Sequence, residues 1–566
     1  MLNSYLNQQE TKEEFFERLK ALGVTEESLN YFCFSSPIMK SFGTNHQNLY
    51  ACAILEPKDT LDSITKMLKN AIDLVSSGAG LSVYLGNIRP IGSFAGGSEQ
   101  IKTDGILPII TMLDSLVTAI KQQHFRDGAG VVWLPIDHFE ILDFFSLIDE
   151  THPRPHITPL KTLHTGIVIT PSFLYALEND LDFQLQLPLQ YRAKYPSDVR
   201  MSSSKTSIKA RVLFKRLQTV MVKKGHPFIF FRNHESDVTC PNLCCEVLLP
   251  TSKDEMALCS LATVNLLPFC LDLKTSKDSE ERCFTQKIDW IKVTSSQKLQ
   301  EEEALLRWNR DGLRNVVLDL IQTLRRLRSI DEYQPSYAPL KKLDVGVGFM
   351  GIIDIVNILI LTTLSSPEKP LCGRNILGGE EIIGLLKANI FDFFKIFLDI
   401  LSSIKQLYPN ERIFAIAPNV YTSLITGVSN GIMPRKAPVY TKRLKGKEFK
   451  LECPCLNHPM FLEGKKFLFY ETTMFEDFSC SKISETKQEF LWRLVGEFYK
   501  VIDQGISFSR YVQHTTLTNS DIFEKTEIQT FLSLSKKVKT IYYTHVVDTV
   551  NLTVNSNCNF CESCSL

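Results

Sequence analysis

Thr239-Cys-Pro-Asn-Leu-Cys-Cys-Glu-Val-Leu-Leu-Pro250 holds the most unusual chemistry in the chain, with Cys259 shortly after it. Asn242, Cys244 and Glu246 stand at every second position. In an extended segment such positions share one face, so an amide, a thiol and a carboxylate would meet at one spot. On the same alternation Cys245 faces away. One buried cysteine is most simply a small hydrophobe. A trio of polar groups needs more, because each must find a partner when buried.

Just before this stretch, Phe228-Ile-Phe-Phe231 reads as a strand. Upstream, residues 9–22 form an amphipathic helix ending near Gly23, and Leu49-Tyr-Ala-Cys-Ala-Ile-Leu55 is a short strand carrying Cys52. Apolar residues recur at helical spacing over 59–75, with Asp59 at the favourable end of the macrodipole. Residues 76–97 are the glycine-densest part, and spacing alone predicts turns there. It is not a dinucleotide fingerprint, since no helix directly follows Gly80. A helix over 106–122 leads to a second glycine loop, 122–130, in which Arg126 is available for a phosphate or a base. Val131-Val-Trp-Leu-Pro135 reads as a strand.

Downstream, residues 272–303 form a polar link, followed by a long amphipathic helix over 301–330. Residues 345–361 are the most apolar segment, but Asp354, Asn357 and three glycines make them a strand, a glycine turn and a helix rather than a membrane span. Further helices are predicted over 380–408 and 490–502. Residues 413–423 read as a strand and then a polar loop, where a helix N-terminus could hold phosphate. Cys453-Pro-Cys455 with His458 shows no fourth well-spaced ligand, so these are plain structural thiols and no metal site is expected. The last residues, 555–566, are polar and without periodicity, which predicts a mobile tail.

The 566 residues carry 63 basic and 63 acidic side chains, a balance that gives no sign of a nucleic-acid or anionic-membrane partner. The N-terminus has no basic region followed by an apolar run, so it is not a signal peptide. Fifteen cysteines in a chain read as cytoplasmic should be mostly reduced, some of them catalytic or redox-active.

In joint order these pieces resemble the large subunit of class I ribonucleotide reductase, from about Ser35 to the end. The motifs are Ser35-Ser-Pro-Ile-Met39, the Cys52 strand with Asp59, Gly78-Ala-Gly80 with Asn87-Ile-Arg-Pro90, and the 122–130 loop. Asn242-Leu-Cys-Cys-Glu246 is followed by Ala257-Leu-Cys-Ser-Leu261 and Asn265-Leu266. Then come Gly346-Val-Gly-Phe-Met-Gly351, Ala417-Pro-Asn-Val-Tyr-Thr-Ser423, Tyr542-Tyr543 and the cysteine tail.

The resemblance implies an α/β fold: a ten-stranded barrel over 41–545 with a central finger loop, a reduced helical segment over 1–40 and a redox-active tail over 546–566. It implies reduction of ribonucleoside diphosphates. Cys244 looks like the thiyl radical that abstracts the ribose 3′ hydrogen, Glu246 like the general base and Asn242 like the orienting group. Cys52 and Cys259 resemble the redox pair, and Tyr542 and Tyr543 the radical relay. If so, neighbouring rings that pack on each other need a non-strand backbone. Substrate contacts align with Ser36, Ala51, Cys52, Gly80, Asn242, Glu246, Val420, Tyr421, Thr422 and Ser423. Asp59, Arg89, Gln122 and Arg126 align with the allosteric site for a deoxynucleoside triphosphate or ATP with Mg2+, across a homodimer interface. Cys561 and Cys564 fit the tail pair, with Cys558 extra, recharged by thioredoxin or glutaredoxin. The partner implied is a small subunit with a di-iron site and a tyrosyl radical.

Departures carry expectations of their own. Only 51 residues precede Cys52, so the domain that senses overall dATP is expected to be missing, as in a shortened, viral-type form. Asp127 follows Arg126 where glycine is common, residues 420–423 are bulkier and less polar than usual, and Cys245 adds a second thiol. The rival reading is an inactive homologue kept as an interaction protein. The intact cysteines, tyrosine pair and tail argue against it. A cobalamin or glycyl-radical reductase is disfavoured by the tyrosine pair and the lack of a glycyl-radical motif.

Overall fold

The computed structural model describes all residues except 1–4, 8, 46–48, 121–127, 155–156, 199, 201–205, 236, 253–255, 271–305, 329–342, 366–378, 445–446, 458–460, 480–484, 514–519, 549–552 and 555–566. Nine strands form one sheet: β1 (Phe32–Phe34), β2 (Cys52–Leu55), β3 (Gly80–Tyr84), β4 (Gly130–Pro135), β5 (Leu163–Ile169), β6 (Phe228–Phe231), β7 (Ala257–Asn265), β8 (Leu343–Met350) and β9 (Thr540–Ile541).

Strands β2 to β6 run parallel in chain order. Helices Leu61–Ser77, Leu107–Ala119, Ile141–Ile148 and Ala210–Lys224 lie between successive strands in the chain, the crossover pattern that parallel neighbours require. Strand β7 starts a second parallel set by pairing antiparallel with β2 and parallel with β8. Single parallel bridges carry the ladder on from Val347 to Phe414 and from Ile416 to Ile506. Tyr542 N–H then donates to the Phe508 carbonyl, and β9 pairs antiparallel with β6. Followed pair by pair, the ladder comes back to its start. This is a curled α/β barrel, although two segments of the second half join by bridges rather than as full strands.

The barrel strands are mostly apolar on both faces, as suits parallel strands covered on both sides. The two faces feed separate cores. Val132, Leu134, Ile229 and Phe231 point to the outer layer under the helices. Val131, Trp133, Phe228 and Phe230 point inward, where they meet Val238, Cys240, Leu243, Cys244, Cys245, Val247, Leu248 and Leu249. The stretch from Thr239 to Pro250 therefore fills the barrel. It is a turn rather than a strand, and Cys245 takes a left-handed conformation at φ 67. Within it Asn242 N–H donates to the Val247 carbonyl at 3.2 Å and Cys245 N–H to the Asn242 carbonyl at 3.2 Å. The barrel wall takes up three more carbonyls: Ser82 Oγ donates to Pro241, Gly505 N–H to Glu246 and Thr540 Oγ1 to Cys245. A loop inside a dry core must satisfy its backbone in this way.

Several boundaries follow the sequence closely. Thr11 caps helix Lys12–Leu19 through a capping box with Glu14. Gly351 turns left-handed between β8 and helix Ile352–Leu364, as predicted for 345–361. Two expectations fail. The glycine-dense part contains β3, because Gly80 packs where an added Cβ would sit 3.3 Å from Leu243. The polar loop after 419 is helix Val420–Thr426. Helix Leu61–Ser77 is capped by Thr60, whose side chain accepts from Ser63 N–H. Among the described residues no helix is long and apolar enough to cross a membrane.

Candidate active site

Cys52 and Cys259 stand directly opposite each other where β2 pairs with β7. Residues so placed have Cα atoms about 4.5 to 5.5 Å apart, inside the range a disulfide spans. Both thiols are buried. Burial, helped by the nearby Cys52, Asp344 and Glu246, pushes the Cys259 thiol well above its ordinary pKa, so it keeps its proton at neutral pH.

Asn242 joins the loop to this pair. Its Nδ2 donates to Cys52 Sγ at 3.0 Å and its Oδ1 accepts from Val247 N–H at 2.9 Å. Gly80 lies beside Cys52 in the β2–β3 register, and its N–H donates to the Ala51 carbonyl at 2.9 Å. An added Cβ at Gly80 would meet Cys52 Sγ at 3.7 Å. Glu246 is fully buried and close enough to Cys259 to act on its titration. The turn in the loop, not strand alternation, brings these groups together.

Tyr542 OH reaches Cys244 Sγ on the same loop at 3.8 Å. Tyr542 and Tyr543 sit in the break between β9 and strand Thr544–Asp548, and their rings meet edge to face at 4.3 Å. The non-strand backbone predicted for packed neighbouring rings is present. Cys245 lies near Tyr499, so the neighbouring thiols have different surroundings.

The remaining sequence-predicted residues fall into other groups. Ser36 begins helix Ser36–Ser41, and Val420, Tyr421, Thr422 and Ser423 begin helix Val420–Thr426. Tyr5 lies between them, near Ser36 and Thr422 and edge-on to Tyr421. Asp59 and Arg89 pair with each other: Arg89 Nε donates to Asp59 Oδ2 at 2.7 Å, and its other nitrogens to the Phe94 and Asp59 carbonyls. Burial raises the Asp59 pKa against the pull of Arg89. Gln122, Arg126, His458, Cys558, Cys561 and Cys564 lie outside the described residues. No group of three or more metal-ligating side chains occurs among the described residues.

Sequence reasoning missed His164. Its Nε2 is 2.9 Å from Tyr543 OH, and its ring stacks on Phe228 at 18°. A histidine near the start of a mostly apolar strand was the available signal.

The class the fold and site define is an α/β barrel wrapped around a thiol-bearing loop, with a facing cysteine pair and a tyrosine pair against that loop. Comparison with known proteins makes this specific. Residues 50–357 match the family described as ribonucleotide reductase, barrel domain, and the chain belongs to that family. The large subunit of ribonucleoside-diphosphate reductase from Vaccinia virus is 22% identical over 484 residues, covering 76% of this chain and 58% of that protein. The large subunit from Danio rerio is 22% identical over 489 residues, covering 76% and 56%. The chain thus spans less than two thirds of the length of these relatives. The class Id ribonucleotide reductase alpha subunit of Actinobacillus ureae shares the fold at a TM-score of 0.57 and 18% identity, over 100% of this chain and 97% of that one.

Proposed function

We propose that the chain is the catalytic subunit of a ribonucleotide reductase that converts ribonucleoside diphosphates to 2′-deoxyribonucleoside diphosphates in the cytoplasm. One observation carries the proposal: Cys52 faces Cys259 and is tied to Asn242, while Cys244 on the same loop touches Tyr542. A thiol that can be oxidised by one electron and a dithiol that can supply two electrons thus meet at one loop.

The Cys244 thiyl radical takes the 3′ hydrogen of the ribose, and Glu246 accepts the 3′-hydroxyl proton. Cys259, protonated in its buried setting, is suited to donate a proton as the 2′-hydroxyl leaves as water. The two thiols end as a disulfide, so one ribonucleotide and two thiols give one deoxyribonucleotide, one disulfide and one water. Asn242 orients both Cys52 and the substrate. Ser36 and residues 420–423 bind the substrate's phosphates. Cys561 and Cys564 restore the dithiol by exchange and are themselves reduced by thioredoxin or glutaredoxin. Tyr542 and Tyr543 pass the radical inward from a small subunit whose di-iron site and tyrosyl radical supply the oxidising equivalent. Asp59, held by Arg89, takes part with Gln122 and Arg126 in binding a deoxynucleoside triphosphate or ATP with Mg2+ across a homodimer interface.

The test is CDP reduction by the chain with a radical-generating small subunit, with and without effectors, beside Cys244→Ser. Wild-type turnover that the substitution abolishes is expected. A wild type inactive under every effector would favour an interaction protein instead.

A further inference from the structure

We propose that His164 is the proton acceptor of Tyr543, taking the phenolic proton across the 2.9 Å Nε2···O contact when that ring loses an electron and handing it back on the return step. The inference rests on the tyrosine pair being the radical route, as proposed above.

Tyr543 is among the largest fully buried side chains. A phenol that loses one electron without its proton becomes a cation, and a buried cation with no partner is costly. Its proton must leave to something within hydrogen-bond reach, about 2.6 to 3.2 Å. His164 Nε2 meets that requirement.

The imidazole is held in place. Phe228 stacks on it with ring centroids 5.5 Å apart, and the same phenyl packs on Tyr542 at 4.6 Å and Tyr543 at 4.9 Å. One side chain thereby fixes the base and both phenols. Burial brings the His164 pKa down to about 4, so at neutral pH the ring is uncharged and a nitrogen lone pair can accept.

Among the described residues, the titratable groups on that side include His226, its ring 5.5 Å away, and Lys224 beyond it. His226 is turned aside by a 2.7 Å hydrogen bond between its Nδ1 and Thr165 Oγ1. Lysine and histidine neighbours do not stabilise a second positive charge, which favours return of the proton to Tyr543. His545 also packs on Tyr543, with centroids 5.7 Å apart, but its ring is tilted at 31° and stacks on Tyr511.

The step balances. One electron leaves Tyr543 for the one-electron oxidant carried by the small subunit. The phenolic O–H bond breaks and an N–H bond forms on His164, leaving a neutral tyrosyl radical beside an imidazolium. Tyr542 then gives a hydrogen atom to the Tyr543 oxygen, and Cys244 gives one to Tyr542.

The experiment compares wild type with His164→Ala and His164→Gln in the full chain with its small subunit. A general base contributes about 10²- to 10⁴-fold, so turnover should fall by that factor in His164→Ala while KM for CDP is unchanged. Free imidazole should restore part of the loss, in proportion to its neutral fraction. His164→Ala within threefold of wild type overturns the proposal, and so does a loss that imidazole leaves unmoved in a variant with a native thermal melt. A second readout needs neither substrate nor small subunit. A tethered photo-oxidant generates the Tyr543 radical in the chain alone, and high-field electron paramagnetic resonance reports its hydrogen bond. That bond should be present in wild type and absent in His164→Ala. If it is present while wild type reduces no CDP, only the reductase reading falls; if CDP is reduced and the radical shows no bond to His164, only this inference falls.

Discussion

Gly505→Ala probes the loop from the barrel wall. A methyl group built at Gly505 would sit 2.3 Å from the Cys245 carbonyl oxygen and 3.0 Å from both Cα and O of Glu246. All three are backbone atoms, so no side chain can rotate away. The wall is pinned from behind, because Ile416 N–H donates to the Gly505 carbonyl at 3.0 Å and Ser507 N–H to the Ile416 carbonyl at 2.8 Å. Relief must come mainly from the loop, and the 2.8 Å bond from Gly505 N–H to the Glu246 carbonyl is stretched first. Overpacking of this kind costs about 1 to 3 kcal/mol. Because the displaced loop carries Cys244 and Glu246, a shift of about 1 Å should lower turnover by roughly 10²-fold. Urea unfolding and CDP reduction measure the two effects. Gly496→Ala is the control: it lies in helix Lys487–Phe498, its added methyl meets Lys537 at an ordinary 3.6 Å, and it should leave stability unchanged or raised. A Gly505→Ala protein with an unchanged urea midpoint and turnover within twofold of wild type would refute the packing argument.

Three further outcomes are expected. His138 is fixed as a neutral ring, with Nδ1 accepting from Glu140 N–H at 3.2 Å and Nε2 at 3.1 Å from the Ile88 carbonyl, and burial lowers its pKa from 6.5 to about 4. The unfolded chain takes up this proton before the folded one, so stability falls with pH between about 6.5 and 4. The total is about 3 kcal/mol at most, and His138→Gln in urea titrations at several pH values should flatten the dependence. Asn242→Ala leaves the buried Val247 N–H without its Oδ1 acceptor and removes the donor to Cys52; a loss of about 1 to 3 kcal/mol by urea unfolding should accompany loss of CDP turnover. Cys259→Ser cannot close a disulfide with Cys52, so deoxycytidine diphosphate should not accumulate over repeated turnovers with dithiothreitol, which product quantitation by chromatography checks.

Local pattern carried the fold where one residue run decides one element. Phe228-Ile-Phe-Phe231 and Val131-Val-Trp-Leu-Pro135 are strands because apolar runs suit a sheet covered on both faces. The strand, turn and helix across 345–361 were legible because Gly351 alone can take the left-handed corner cheaply. Pattern failed where a distant neighbour decides. Gly80 belongs to a strand because Leu243 needs the space, and the short helix after Asn419 has no side-chain cap that would announce it. His164 is the extreme case, since the ring it meets is 379 residues further along the chain.

The loop also shows why spacing alone was a misleading guide to the right residues. Alternation along a strand would have pointed Asn242, Cys244 and Glu246 to one face. The left-handed turn at Cys245 instead sets Asn242 beside Cys52 and Cys244 beside Tyr542. On the proposed function this geometry has a chemical use. The radical thiol and the amide that contacts the dithiol come from one turn. On that reading the turn is part of the chemistry, and Ser82, Gly505 and Thr540 support it by donating to its carbonyls.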